Sequence, residues 1–216
     1  MIRYGCFLAS EEHEPQELVR QARLAEEAGF DSLWISDHFH PWLDEQGQSG
    51  FVWSVIGAIS QVTSLPITTA VTCPLVRQHP AIVAQAAATS AMLTAGRFTL
   101  GVGWGEALNE HILGQPQARK TMHRLWATDE IPGEAAQLLP LPRHFAQLAG
   151  LIGEDMITAP CGPDPDTHIQ GIRAYTDAGF DEVYVAQVGT EQDGFFEFYA
   201  GQVLPRLRES QSGATP

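Results

Sequence analysis

Positive charge is scarce in this sequence. Lysine and arginine together number 12 against 26 aspartates and glutamates, which gives a formal net charge of -14, and Lys120 is the only lysine. Such a chain repels phosphate backbones and anionic membrane surfaces unless its basic residues form a local patch, and no such patch is visible. We therefore expect neither a nucleic acid nor a membrane as a partner.

Cysteine is equally scarce, and long apolar runs are missing. The cysteines, Cys6, Cys73 and Cys161, are widely spaced and form no CxxC pair, so the sequence indicates neither a disulfide framework nor a zinc site. No run of about 18 apolar residues, the length that spans a bilayer, occurs in the chain. The first residues also do not resemble a secretion signal. These features predict a cytoplasmic protein.

Strand-like and helix-like segments alternate along the chain. The first strand is predicted in IRYGCFLA, and the first helix runs from Pro15 to a closing Gly29, a proline start and a glycine stop. Because each parallel crossover needs a helix to return the chain, the alternation predicts a parallel sheet wrapped by helices. The further predicted strands are SLWIS, PITTAVTC, RFTLGVG and EVYVAQV, and the further helices are FVWSVIGAISQV, PAIVAQAAATSAML, DPDTHIQGIRAYTDAG and GFFEFYAGQVLPRLRES.

One αβ unit occurs twice. AGFDSLWISDH, Ala28 to His38, returns as AGFDEVYVAQV, Ala178 to Val188, and each copy joins a helix end, a turn and a strand. Such repetition is typical of a (β/α)8 barrel, in which the residues that follow the strands form the active-site mouth. The two endings, SDH and AQV, are therefore predicted to occupy two positions around one mouth.

The middle of the chain does not continue this pattern. After Gly114 no convincing strand precedes MITAP. The sequence thus contains five predicted strands and a sixth candidate, whereas a closed barrel has eight. We predict an α/β fold, an incomplete (β/α)8 TIM barrel of five to six strands. We expect a single domain over residues 1–208 and a flexible tail over residues 209–216.

The segment SDHFHPW, Ser36 to Trp42, places acid–base groups directly after a strand. His38 can act as an acid or base near pH 7, with its tautomer fixed by a carboxylate such as Asp37. The pattern alone fits equally well a surface loop in which the aspartate caps the next helix. His38 and His40 form only an i, i+2 pair on a loop, without partner acids or cysteines at helical spacing, so we predict no metal site.

A glycine-rich strand end, GVGWGEALNE, follows at Gly101 to Glu110. It matches neither the dinucleotide fingerprint nor the phosphate loop, because Leu108 occupies the third glycine position and no lysine follows. We expect the glycines to let a flat ligand approach the backbone, with Glu106 facing the same mouth as His38. The alternative is that the glycines serve packing and Glu106 is a first-turn charge.

Between these segments lies TAVTCP, followed by Arg77. On its own this stretch favours Arg77 as a loop arginine that forms a salt bridge. Cys73 is expected to be a small buried apolar residue, because no arrangement of nucleophile and base is indicated around it.

Four segments taken together resemble one known family: ISDHFHPW, AVTCPLVRQHPAIVAQAAAT, GRFTLGVGWGEALNEHILG, and AGFDEVYVAQVG with FFEFY. In this order they are similar to the luciferase-like superfamily of (β/α)8 oxidoreductases. Within it they resemble the branch that uses the deazaflavin coenzyme F420 and includes F420-dependent glucose-6-phosphate dehydrogenase. The resemblance covers Met1 to about Gly114 and again about Pro160 to Arg208.

The resemblance implies an oxidoreductase that transfers a hydride between an alcohol-type small molecule and coenzyme F420. His38 is then the proton acceptor from the substrate hydroxyl, Asp37 lies beside the deazaflavin, and Trp42 packs near the substrate. Ala70 and Val71 correspond to a bulge behind the ring, often with a non-proline cis peptide bond. The remaining residues implied near the ring are Gly105, Glu106 and Asn109.

The chain also departs from that family. Trp104 stands where relatives usually have a small residue, and Ala186 replaces a histidine that some relatives carry. Between Gly114 and Arg119 the chain skips a segment that normally carries the middle strands and the loop that holds the coenzyme's phosphate. Three functions therefore stay open: an F420-dependent oxidoreductase, an FMN-dependent luciferase-like monooxygenase, or a non-catalytic remnant that acts as an oligomerising module. Because an incomplete barrel has open strand edges that a second copy must cover, we expect a homo-oligomer in each case.

Overall fold

The computed structural model describes residues 2–74, 77–103, 105, 141–149, 160 and 162–212. Within them, five strands form one sheet in which every neighbouring pair is parallel. This confirms the predicted parallel α/β arrangement, while residues 156–159 of the sixth candidate strand lie outside the described part. The strands are β1 (Arg3–Leu8), β2 (Ser32–Ile35), β3 (Ile67–Thr69), β4 (Phe98–Thr99) and β5 (Glu182–Val185), in the spatial order β4-β3-β2-β1-β5.

Helices return the chain between the strands, and proline determines where several of them begin. α1 (Pro15–Ala28), α3 (Pro80–Leu93) and α5 (Pro165–Asp177) carry proline at their first positions, where its missing N–H is not needed. α1 ends at Gly29, whose φ of 89° closes the helix as predicted. No helix within the described ranges has the length and apolarity needed to span a membrane. The other helices are α2 (Val52–Ile59), α4 (Pro142–Ala149), α6 (Gln192–Phe198) and α7 (Leu204–Ser212), with a π-helical turn over Tyr199–Val203 between the last two.

The apolar core lies between one face of the sheet and the helices. Successive residues of a strand point to opposite faces, and Cys6 and Leu33, which are paired in register, both lie on the helix side. Burial raises the pKa of the Cys6 thiol to about 12, so this cysteine stays protonated at neutral pH. The largest fully buried side chains are Leu8, Leu18, Leu33, Ile35, Ile56, Ile59, Ile67, Leu204, Leu207, Val52 and Val203.

The opposite face of the sheet carries polar and aromatic residues. Trp34 on β2 stacks on Tyr184 on β5, with ring centroids 4.1 Å apart, across Gly5 of the intervening β1. A Cβ at Gly5 would lie 2.1 Å from the Tyr184 ring, so glycine is required for this stack. Ser32 donates a hydrogen bond to the Tyr184 hydroxyl at 2.9 Å, and that hydroxyl donates to Glu182 at 2.8 Å. This face is therefore specified by side chains of β2 and β5 and by a glycine of β1, the strand between them.

β3 and β4 are shorter than the sequence predicted. The Thr69 side chain takes the place of backbone hydrogen bonds that would otherwise continue between the two strands. Its Oγ1 donates to the Gly101 carbonyl at 3.0 Å and accepts from the Gly101 N–H at 3.1 Å. A Cβ on residue 101 would lie only 2.0 Å from the Thr69 carbonyl oxygen. Beyond this crossing, pairing continues as an isolated bridge between Thr72 and Val102.

The last helix extends past the domain boundary that the sequence suggested. α7 runs to Ser212, and Gln211 accepts a hydrogen bond from the Ile2 N–H and donates one to the Tyr4 hydroxyl. These bonds anchor the helix end to β1, so residues 209–212 are helical, in contrast to the expected flexible tail. Residues 213–216 lie outside the described part of the chain.

Candidate active site

The carboxyl ends of the five strands lie along the same edge of the sheet, since all of its strands are parallel. We call the described residues that follow the strands at this edge the mouth; they fall in the ranges 9–14, 36–51, 70–79, 100–105 and 186–191. Glu106 and Asn109 lie outside the described residues, so their roles stay predictions. The other candidates all lie in the mouth: Asp37, His38 and Trp42 after β2, Ala70 and Val71 after β3, and Gly105 after β4.

His38 lies against a buried carboxylate that the sequence did not single out. The His38 side chain is 10% exposed, and its Nδ1 lies 3.4 Å from Oε1 of Glu11, close enough for an ion pair once the imidazole is protonated. Glu11 is three residues beyond Leu8, and His38 is three residues beyond Ile35, while Leu8 and Ile35 are paired in register. Because Glu11 and His38 lie the same number of residues beyond two paired strand ends, the register of β1 with β2 could have identified Glu11.

Two serines hold the Glu11 carboxylate in this position. Ser36 Oγ donates to Glu11 Oε2 at 2.6 Å, and Ser10 Oγ donates to the Ser36 carbonyl at 2.7 Å. All three residues are buried, where hydrogen bonds in a low dielectric are strong and restrict the geometry. The sequence suggested Asp37 as the carboxylate that orients His38, whereas the structure places Glu11 opposite the His38 ring nitrogen.

Asp37 instead joins the loops that follow β2 and β3. Its Oδ2 accepts a hydrogen bond from Thr72 Oγ1 at 2.7 Å, and its Oδ1 pairs with the guanidinium group of Arg77. The Asp37 side chain is almost fully buried, and removing one partner of a buried ion pair costs about 3–5 kcal/mol. The ion pair expected of Arg77 is confirmed, and it fixes the position of Asp37.

Trp42 packs beside His38. Their ring centroids lie 4.8 Å apart, with the ring planes tilted by 57°. Ser49 Oγ donates to the His38 carbonyl at 2.6 Å, and Gln46 Oε1 accepts from the Trp42 N–H at 2.9 Å. These bonds order the loop after β2, so that the indole covers one side of the imidazole.

An apolar surface lies at the ends of β3 and β4. The Ala70–Val71 peptide bond is cis, which confirms the geometry expected there, and Val71 and Val102 are 38% and 60% exposed. We call these two valines the apolar shelf. A Cβ on Gly103 would lie 2.4 Å from Val71 Cγ2, so Gly103, like Gly101, is required for packing between strand ends. At Gly101 and Gly103 the structure therefore favours the interpretation that glycine is needed for packing, and not for the approach of a ligand to the backbone.

Two further residues belong to the same side of the mouth. Gly105 has a φ of 90°, a left-handed conformation that favours glycine. Cys73 is half-buried, and its Sγ lies 3.3 Å from the place that a Cβ on Gly103 would take. Cys73 therefore packs against the strand ends, but it is only half-buried where the sequence predicted a buried residue.

A second polar cluster joins the loops after β1 and β5. His13 is buried, and its Nε2 lies 3.3 Å from Gln192 Nε2 and 3.8 Å from Glu12 Oε2. Gly189 completes the cluster, because its N–H donates to Glu12 Oε2 at 3.2 Å and its carbonyl accepts from Gln192 Nε2 at 2.8 Å. The sequence motifs pointed to neither His13 nor Gln192, since only the pairing of β1 with β5 brings them together.

A protein-family model described as luciferase-like monooxygenase matches residues 1–131. This range contains β1 to β4 and the mouth residues that follow them. The match therefore includes the part of the chain that carries Glu11, Asp37, His38 and the apolar shelf.

Curated relatives extend the similarity over most of the chain. F420-dependent hydroxymycolic acid dehydrogenase of Mycobacterium tuberculosis is 47% identical over 107 residues, 49% of this chain and 30% of the relative. F420-dependent glucose-6-phosphate dehydrogenase of Beutenbergia cavernae is 43% identical over 189 residues, 73% of this chain and 56% of the relative. The same enzyme of Amycolatopsis mediterranei is 30% identical over 237 residues, 99% of this chain and 65% of the relative. The chain thus spans less than two thirds of the length of these relatives.

Two solved structures show the same fold. An F420-dependent secondary alcohol dehydrogenase in complex with an F420-acetone adduct superposes with a TM-score of 0.81 at 22% identity, over 96% of this chain and 99% of that chain. The F420-dependent tetrahydromethanopterin reductase of Methanopyrus kandleri superposes with a TM-score of 0.69 at 15% identity, over 95% and 99%. Both are TIM-barrel enzymes, so the sheet confirms the predicted incomplete barrel. On the match of the family model, this chain belongs to the luciferase-like monooxygenase family.

Proposed function

We propose that the chain is a coenzyme F420-dependent oxidoreductase that transfers a hydride between an alcohol-type substrate and the deazaflavin ring. The observation that carries this proposal is the largely buried imidazole of His38, which lies close to both Glu11 and Trp42 at the mouth. The relatives named F420-dependent dehydrogenases support the choice of coenzyme and of reaction class.

The residues at the ends of β3 and β4 fit a flat ring. The apolar shelf exposes two uncharged side chains, and no side chain projects from Gly105 beside it. Ala70 and Val71 would hold the face of the ring, and Asp37, fixed by Thr72 and Arg77, would lie at its edge. When bound, the deazaflavin supplies a ring carbon that takes up or returns a hydride.

His38 would take the proton that the substrate loses. When the alcohol is oxidised, its C–H bond breaks with loss of a hydride, its O–H bond breaks with loss of a proton, and a carbon–oxygen double bond forms. The proton passes to Nε2 of His38, and Glu11, 3.4 Å from Nδ1, stabilises the resulting imidazolium. Because Ser36 and Ser10 hold the carboxylate in a buried position, Glu11 needs no rearrangement as the charge develops.

The test is a titration of the purified chain with coenzyme F420, followed by the coenzyme's fluorescence and by its reduction when an alcohol is added. We expect micromolar binding and alcohol-dependent reduction, with reduction lost and binding retained in His38→Ala. Binding of FMN in place of F420 would instead support the monooxygenase alternative. No binding of either up to about millimolar, which is weaker than about -4 kcal/mol, would overturn the proposal in favour of a non-catalytic remnant.

We also propose that the chain forms a homo-oligomer through α3. This helix, PAIVAQAAATSAML, has no charged residue, and among its side chains only Val83 and Ser90 are buried. Met92 is 83% exposed, and Ile82 and Leu93 are about half-exposed. Because two copies of a chain with a net charge of -14 repel each other, an uncharged apolar face is the surface on which association costs least.

Light scattering on a purified sample tests this proposal. We expect an oligomer that dissociates in Met92→Glu, because a carboxylate would then be buried at the interface. Tyr175→Glu is the matched control, since Tyr175 is also exposed but lies on α5. An unaltered oligomer in Met92→Glu, or a monomer in the original chain, would contradict the assignment.

A further inference from the structure

Charge is unevenly distributed around the mouth. The segments after β1 and β2, residues 9–14 and 36–51, contain no lysine or arginine but several acids, namely Glu11, Glu12, Glu14, Asp37, Asp44 and Glu45. The segments after β3 and β4, residues 70–79 and 100–105, contain no acid and a single basic residue, Arg77. We call the first pair of segments the acidic side of the mouth and the second pair the neutral side.

The single basic residue of these segments is already engaged. The guanidinium of Arg77 pairs with Asp37, and the Arg77 side chain is largely buried. The segment after β5, residues 186–191, adds Glu191 and no basic residue. A phosphate group beside His38 would therefore meet negative charge from the acidic side, without a cation from these segments to neutralise it.

Two carboxylates of the acidic side, those of Glu11 and Glu12, accept hydrogen bonds within the mouth. Glu11 accepts from Ser36, and Glu12 accepts from the Gly189 N–H. Both are also close to an imidazole, of His38 and His13 respectively. Glu11 therefore faces a group that approaches His38, while Glu12 lies in the neighbouring cluster around His13.

Apolar side chains lie among these acids. Phe39 is 42% exposed directly after His38, Trp42 packs on the His38 ring, and Val188 of the second AGFD copy is 77% exposed at the end of β5. These side chains can bury the apolar substituents of a substrate whose hydroxyl group reaches His38. Among these three side chains only the Trp42 indole has a hydrogen-bond donor, and none carries a positive charge that would attract a phosphate.

Resting on the proposed function, we propose that the substrate is an uncharged alcohol with apolar substituents, and that a phosphorylated sugar is disfavoured. The acidic side would receive this alcohol, with its hydroxyl at His38 and its apolar groups against Trp42 and Phe39. The neutral side would receive the anionic coenzyme, since residues 70–79 and 100–105 contain no acid and Glu106 is the first acid that follows them in the sequence.

The experiment compares three substrates with the full chain and coenzyme F420: cyclohexanol, glucose and glucose 6-phosphate. The two sugars form a matched pair that differs by one phosphate. We expect kcat/KM for cyclohexanol to be highest and that for glucose 6-phosphate to fall about tenfold or more below that for glucose at low salt, because like charges repel. Added salt should narrow the gap between the two sugars.

A charge-reversal variant and a binding measurement complete the test. The double variant Asp44→Lys with Glu45→Lys alters two exposed acids of the loop after β2. In this variant, kcat/KM for glucose 6-phosphate should rise relative to kcat/KM for glucose. Isothermal titration calorimetry, which needs no turnover, should show that cyclohexanol binds and that inorganic phosphate does not. If glucose 6-phosphate is turned over faster than glucose and cyclohexanol, the inference is wrong while the proposed function stands. If F420 is not reduced by any of the three and does not bind, the proposed function itself fails, and this inference with it.

Discussion

The two AGFD copies put the same residues in two different surroundings. Phe30 is 3% exposed and packs against Phe195 and Tyr199, with ring centroids 6.1 and 5.8 Å away. Phe180, its counterpart in the second copy, is 58% exposed and contacts Tyr175 at 6.1 Å. β2 lies inside the sheet between β1 and β3, whereas β5 is the last strand in the described order. Burial of the same residue type is therefore decided by the position of its strand in the sheet.

The strand endings differ more than the turns do. His38 in the first copy is 10% exposed and lies against Glu11, while Val188 at the equivalent position is 77% exposed. Gly29 and Gly179, by contrast, both have positive φ, of 89° and 99°. The repeated AGFD residues therefore determine only a local turn. The side chains that surround each strand end are determined by the neighbouring strands.

The largest expected difference between the copies is in activity. His38→Ala should lower kcat by about 10²–10⁴-fold, the usual contribution of a general base, because it removes the proton acceptor of the proposed reaction. Val188→Ala, at the equivalent position of the second copy, removes apolar contact area and no proton acceptor, so it should raise KM and leave kcat unchanged. Steady-state reduction of F420 by an alcohol measures both variants, and equal losses in the two would remove the assignment of His38.

The next difference is in stability. Phe30→Ala should lower the free energy of unfolding by about 3–5 kcal/mol, because a fully buried ring leaves a cavity among other aromatic residues. Phe180→Ala should cost less than about 1 kcal/mol, since an exposed side chain loses little burial. Urea denaturation of the two variants tests this contrast. Similar midpoints for both would mean that the surroundings of the two rings do not differ in solution.

Much of this fold follows from local signals in the sequence. α3 has the predicted bounds, Pro80–Leu93, because a proline at its start is visible in the sequence. The strand lengths could not be predicted as well, because β3 and β4 end where the Thr69 side chain bonds to Gly101. That contact joins residues of two different strands, and the pattern of either strand alone does not contain it.

Contacts between different strands also explain why the sequence predicts His38 as a site residue but does not predict Glu11. The position of His38 follows from a motif within one loop, since residues after parallel strands meet at one edge. Glu11 belongs to a loop without such a motif, and it faces His38 only because β1 pairs with β2. For the same reason the carboxylate next to His38 in sequence, Asp37, was assigned the role that Glu11 takes in space.

A smaller effect is expected at Glu11 than at His38. Glu11→Gln keeps the size of the side chain but removes the charge that stabilises the imidazolium, so kcat should fall by about tenfold, or about 1.4 kcal/mol of transition-state stabilisation. KM and the affinity for F420 should stay the same, which separates a positioning residue from a merely structural one. Glu11→Asp retains the charge and should recover part of kcat. A parallel loss of coenzyme affinity would instead indicate a disturbed mouth.

The smallest and most equal effects are expected at the turns. Gly29→Ala and Gly179→Ala each place a Cβ at a positive φ, which costs about 1 kcal/mol. At Gly29 the added Cβ would also lie 3.3 Å from the Arg208 guanidinium, whereas at Gly179 nothing lies within 4 Å. The Arg208 side chain can move by a few tenths of an ångström, so the two costs should agree closely in urea denaturation. A much larger cost at Gly29 would mean that the first copy differs from the second already at the turn, before its strand reaches the site.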